Sequence, residues 1–94
     1  PTPGHTPDHC SVHLISAGQD AVVLGDVTHS PSQCRYPDLV ARPDVDPDLA
    51  KATRVALMDK YCETETLICT AHFPSPSIGH FVRHGEAFDF TFRT

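Results

Sequence analysis

Three side chains with metal-ligand chemistry stand at the ends of apolar or turn-forming segments: His5 in Thr2-Pro3-Gly4-His5-Thr6-Pro7-Asp8-His9, Asp26 in Val23-Leu24-Gly25-Asp26, and His72 in Thr70-Ala71-His72-Phe73. An imidazole after a glycine turn, a carboxylate at the tip of a buried strand and a second imidazole beyond another strand are the donors that hydrolytic zinc or iron centres use. Taken singly, each has a plainer reading: His5 as an exposed turn residue, Asp26 as a loop cap accepting backbone N–H bonds. Taken together they favour a ligand set, although three ligands are too few for two metals. His29 and His80 fall in loops near these positions and are candidates for a substrate pocket, whereas His13 and His84 read as surface residues. Cys34 reads as a loop thiol.

The elements that must hold these residues follow from pattern. Ser11 to Ser16 alternates as a strand, Ala17-Gly18-Gln19-Asp20 has turn chemistry, and Ala21 to Leu24 reads as a buried strand. Val27 to Asp46 carries Pro31, Pro37 and Pro43 and predicts a long surface loop. Asp46-Pro47-Asp48 is a helix start, with a capping carboxylate, a proline for the first turn and an acid at the positive end of the dipole. Leu49, Ala52, Thr53, Ala56 and Leu57 then recur on one stripe, predicting a helix over Pro47 to Tyr61. Thr66 to Thr70 reads as a short strand and Phe73 to Gly79 as a loop. Phe81-Val82-Arg83, a turn at His84-Gly85 and the alternating Phe88, Phe90 and Phe92 form a closing hairpin whose aromatic stripe is core. The order is β-β-loop-α-β-β-β, with the candidate ligands at strand exits, where loops converge over a rigid sheet.

A chain of 94 residues makes one domain at most, and at that length it buries only roughly 60–65% of its unfolded surface. The formal charge of −5 argues against a nucleic-acid partner. No apolar run reaches the length of a membrane span, so no membrane partner is expected and the chain reads as soluble. The four cysteines, Cys10, Cys34, Cys62 and Cys69, form no paired motif. Cys10, Cys62 and Cys69 lie in or beside apolar stretches, which reads as buried, reduced thiols and a cytoplasmic location. The chain begins at Pro1 and its single methionine is Met58, as in a piece of something longer.

Thr2-Pro3-Gly4-His5-Thr6-Pro7, then Leu24-Gly25-Asp26, then Ala71-His72 resemble the second half of a metallo-β-lactamase-fold hydrolase, over nearly the whole chain. The resemblance implies an α/β (α+β) fold: half of a four-layer αβ/βα sandwich, a mixed sheet with a covering helix. Residues 1–94 would be the C-terminal part of a single domain. It further implies two divalent metal ions, zinc first, with iron, manganese and cobalt admitted. His5 would complete the first metal's imidazole set, Asp26 would bridge both metals and position the hydroxide nucleophile they hold, and His72 would ligate the second metal. His9 would support the ligands. The His-x-His-x-Asp-His motif that the family's first half supplies is absent, so the missing N-terminal half is an expected partner and the chain alone an inactive fragment.

Gly25-Asp26-Val27-Thr28-His29-Ser30-Pro31, Asp44-Val45-Asp46-Pro47 and His72-Phe73-Pro74 leading to Gly79-His80 resemble the branch containing methyl parathion hydrolase and N-acyl homoserine lactonase-like proteins. That likeness implies a small-molecule ester, lactone or organophosphate substrate. The competing reading is a stand-alone small protein that binds one metal, or none, and uses the exposed sheet face for a partner. A half sandwich leaves that face uncovered, so the isolated chain is expected to associate, as a homo-oligomer or less specifically.

Overall fold

The computed structural model describes residues 1–93. Five strands, β1 (Val12–Ser16), β2 (Gln19–Val23), β3 (Leu67–Cys69), β4 (Ile78–His84) and β5 (Ala87–Phe92), form one mixed sheet in chain order. Only β2 and β3 run parallel. They need a crossover, and the 15-residue helix α2 (Pro47–Tyr61) supplies it, preceded by a one-turn helix α1 (Ser32–Arg35). This is the expected mixed sheet with a covering helix. The long 27–46 connection differs from expectation in holding α1, whose Gln33 and Cys34 are buried.

The first hairpin closes on two residues, Ala17 and Gly18, both at positive φ, as a tight right-twisted connection requires. β4 starts at Ile78, three residues before the strand read from sequence at Phe81, so the preceding loop is shorter than predicted and His80 lies within a strand. The final turn is Gly85-Glu86, between the paired His84 and Ala87.

Helix α2 begins as its sequence dictates: Asp46 accepts a hydrogen bond from the Leu49 N–H at 3.1 Å, and Pro47 occupies the first turn. Its buried stripe is Ala50, Arg54, Leu57 and Met58. The predicted stripe is rotated from this, because Leu49, Ala52 and Ala56 face solvent. The centre of the buried face is a charged residue, which apolar periodicity does not register. Leu57 and Met58 pack with Val22, Leu24, Ile68, Phe73, Phe81, Phe88 and Phe90 into one core on a single face of the sheet. Edge-to-face contacts between Phe73 and Phe90 and between Phe81 and Phe90 fix the aromatic part of it.

The strand register places Val12, Leu14, Ala21, Val23, Leu67, Cys69, Ile78 and Val82 together on the opposite face. Val12, Leu14 and Val23 are 41–54 % exposed there. The cysteines invert the expectation. Cys10 is exposed and Cys62 and Cys69 are half-buried, whereas Cys34, within α1, is fully buried, where burial pushes its pKa up to about 12. No helix among the described residues is long and apolar enough to cross a membrane.

Candidate metal centre

Three chain segments deliver imidazoles to one carboxylate. Asp26 follows the end of β2, whose line the Leu24 N–H extends by bonding Cys69 O. The chain then turns at Gly25, at φ +64°, and a Cβ there would fall 2.8 Å from His9 Nε2. That close approach lets His9 Nε2 accept the Asp26 backbone N–H at 2.9 Å. His9 Nδ1 lies 2.9 Å from both the carbonyl and the hydroxyl of Thr2. Accepting through Nε2, it donates through Nδ1. His9 thus supports Asp26 and has no ring nitrogen left over.

His5 is carried by the preceding loop, which lies directly on the start of α2. A Cβ at Gly4, whose φ is +136°, would stand 2.3 Å from the Ala50 backbone. The loop is fastened there by Asp46 N–H to Gly4 O at 2.9 Å, Val45 N–H to His5 O at 3.0 Å and Thr53 Oγ1 to Pro3 O at 2.6 Å. His72 leaves the end of β3, where Thr70 bonds Ser77 O through both its N–H and its hydroxyl.

These supports converge on Asp26. Its Oδ2 lies 3.2 Å from His5 Nε2, and its Oδ1 lies 2.7 Å from His72 Nε2. His29 joins the cluster at a slightly longer distance than the two expected imidazoles. Its Nε2 is 3.9 Å from Asp26 Oδ1, its ring stacks on His72 at 4.8 Å, and it tilts against His5 at 5.1 Å. One ligand atom each from His5, Asp26 and His29 lies within 4.8 Å of the others. The loop bearing His29 is organised by buried Gln33, whose side-chain oxygen accepts from the His29 N–H at 2.6 Å and from the Thr28 hydroxyl at 3.1 Å.

The hydrogen bond from His72 holds the Asp26 carboxyl below the ordinary carboxylate value, with the neighbouring imidazole charges adding to this and burial opposing it. Burial lowers the pKa of His29, and the adjacent His72 lowers it further. The donor set fits a divalent cation: the carboxylate presents two oxygens among three imidazoles.

Structure and expectation part at His80. It sits in β4 on the outer face and lines a surface cavity with Leu14, Asp20, Glu65 and Arg93, away from the cluster, because β4 begins at Ile78, ahead of the start that the sequence predicts. His13 is exposed, as expected, and pairs with Asp20. Nothing in the sequence marked two further residues as supports of the cluster. Asp44, whose side chain is 1 % exposed, bonds His5 Nδ1 at 2.9 Å. Arg54, 2 % exposed, lies 3.8 Å from Asp44 and bonds the carbonyls of Val27 and Pro37.

No protein-family model matches the sequence, and no curated protein matches it. Solved structures do. AbOPH, described as a hydrolase of the beta lactamase superfamily, is 31% identical over 99% of this chain and 34% of its own, with a TM-score of 0.88. AidC, a dizinc quorum-quenching lactonase solved with a product, N-hexnoyl-L-homoserine, is 26% identical over 99% of this chain and 32% of its own, with a TM-score of 0.94. The chain therefore shares the fold of hydrolases of the β-lactamase superfamily and spans about a third of their length.

Proposed function

We propose that this chain is the metal-binding C-terminal part of a metal-dependent hydrolase, completed by an N-terminal half that brings the remaining ligands. The observation that carries the reading is the placement of Asp26, with one carboxylate oxygen facing His5 and the other facing His72. A carboxylate so placed suits a bridge between two divalent ions, with His5 holding one and His72 the other. Zinc is the first choice, in line with the dizinc lactonase among the structural neighbours. Ions held there would supply Lewis acidity at a carbonyl or phosphoryl oxygen and make water acidic enough to act as a nucleophile near neutral pH.

The chain's own residues divide the remaining tasks. His9 fixes the backbone of Asp26, Gln33 fixes the loop carrying His29, and the half-exposed His72 and His29 form the side of the cluster open to a small molecule. Lactones, esters and organophosphates are the proposed substrate class, within the lactonase and methyl parathion hydrolase-like branch. The apolar outer face of the sheet is where the N-terminal half would dock, and four unpaired cysteines suit a cytoplasmic setting.

The test is to assay the full-length polypeptide against a lactone, an aryl ester and a phosphotriester, before and after chelation, with Asp26→Asn alongside. Turnover of at least one substrate that chelation and Asp26→Asn both abolish is the expected result. Turnover indifferent to chelation would overturn the metal-dependent reading, and an upstream reading frame without His-x-His-x-Asp-His, with no turnover of any of the three, would favour the stand-alone partner-binding protein instead.

A further inference from the structure

The Asp44 carboxylate is buried at 1 % exposure, and its only hydrogen-bond partner among the described residues is His5 Nδ1, at 2.9 Å. Its second oxygen has no hydrogen-bond partner and faces Arg54 Nη2 at 3.8 Å. Arg54 is itself buried, and its Nε and Nη1 are committed to Val27 O and Pro37 O. Four segments thus form one chain of contacts running from helix α2, through the 27–46 loop, to His5 and then to Asp26.

We infer that Asp44 is a positioning residue that selects the tautomer of His5, and that Arg54 keeps Asp44 aimed at it. A carboxylate only accepts, so the contact at His5 Nδ1 requires that nitrogen to carry the proton. In the neutral ring His5 Nε2 is then a bare lone pair, 3.2 Å from Asp26 Oδ2. The opposite assignment would place the proton between Nε2 and Asp26 and leave Asp44 with no donor. Burial decides between them: Asp26 is 35 % exposed and already receives His72, whereas a buried carboxylate stripped of its one hydrogen bond bears the full desolvation penalty. Two acceptors facing each other at 3.2 Å leave a place for a cation. A histidine ligand whose far nitrogen donates to a carboxylate is the arrangement that fixes ring orientation at metal sites. Arg54 sets the direction, because an amide at position 44 would turn its oxygen to the guanidinium and its NH2 to His5 Nδ1, reversing the tautomer.

The inference rests on the metal-site reading for its function but not for its geometry, and the experiment separates the two. Full-length protein labelled with 15N-histidine and stripped of metal is studied by long-range proton–nitrogen correlation, with His5 assigned through His5→Gln, and zinc affinity is measured by chelator competition. His5 should be protonated at Nδ1 alone in the native protein. Asp44→Asn should move the proton to Nε2 and weaken zinc binding roughly 10- to 100-fold. A native His5 protonated at Nε2 overturns the inference even if Asp44→Asn does not fold. So does an Asp44→Asn protein with unchanged tautomer and zinc affinity. A native protein that shows the predicted tautomer and switch but binds no zinc would leave Asp44 as the positioning residue and remove the metal-site reading.

Discussion

The molecule holds two histidine–aspartate contacts of nearly equal length and exposure, 2.8 Å between His13 and Asp20 and 2.7 Å between His72 and Asp26, and they differ in what surrounds and holds them. His13 and Asp20 are diagonal neighbours on one hairpin, no more exposed than His72 and Asp26, and both Asp20 oxygens accept from the Thr66 hydroxyl. Local strand pairing is enough to bring them together. Asp26 is met by His5, His29 and His72 from separate loops, with His9 behind its backbone and the buried Asp44 and Arg54 behind His5. An imidazole beside a carboxylate is therefore an ordinary surface pair. Convergence of several donors, each held from behind, makes a candidate centre.

Breaking that support at its most buried point should have the largest effect. Arg54→Met leaves the Asp44 carboxylate buried without a cation, at a cost of about 3–5 kcal/mol of folding stability. Chemical denaturation would read this as a lowered midpoint, and no comparable loss is expected from His13→Ala. Ligand removal comes next. His72→Ala should weaken zinc binding by at least ~100-fold because metal affinity resides in its donors, whereas His13→Ala should leave it unchanged in the same competition assay. Gly25→Ala should cost about 1–2 kcal/mol for the left-handed backbone and, by pushing His9 off the Asp26 N–H, should also lower zinc affinity.

The smallest effect belongs to Asp20. Hydrogen bonds, first from His13 and then from Thr66, hold its pKa below the ordinary carboxylate value. Its contribution to stability is therefore fully present above the unfolded-state pKa and is lost as pH falls through the depressed folded-state value. Thermal melts from neutral to acid pH should show Asp20→Asn converging on the native protein only at the acid end.

The legible parts of this fold were those with local causes. The Asp46 cap, Pro47 in the first turn and the alternating Phe88 and Phe90 each act within a few residues, so α2 and the closing hairpin follow from pattern. Position along the chain also revealed His5, Asp26 and His72 as candidates, since strand ends are where loops meet. Arg54 and Asp44 were not legible, because a charge stitched into a core reads in sequence like a charge on a surface. The burial of Cys34 has a related reason: the short helix α1 turns inward a thiol that reads in sequence as part of a loop. His80 was misplaced because β4 begins earlier than its aromatic alternation suggests.

The most direct test of the central claim is zinc stoichiometry in the full-length protein, native against Asp26→Ala, by equilibrium dialysis and elemental analysis. Two zinc ions per native chain, with the substitution removing both while the melting transition persists, is the predicted result. A native protein that binds no divalent ion, or an Asp26→Ala protein that binds as many as the native one, would contradict it.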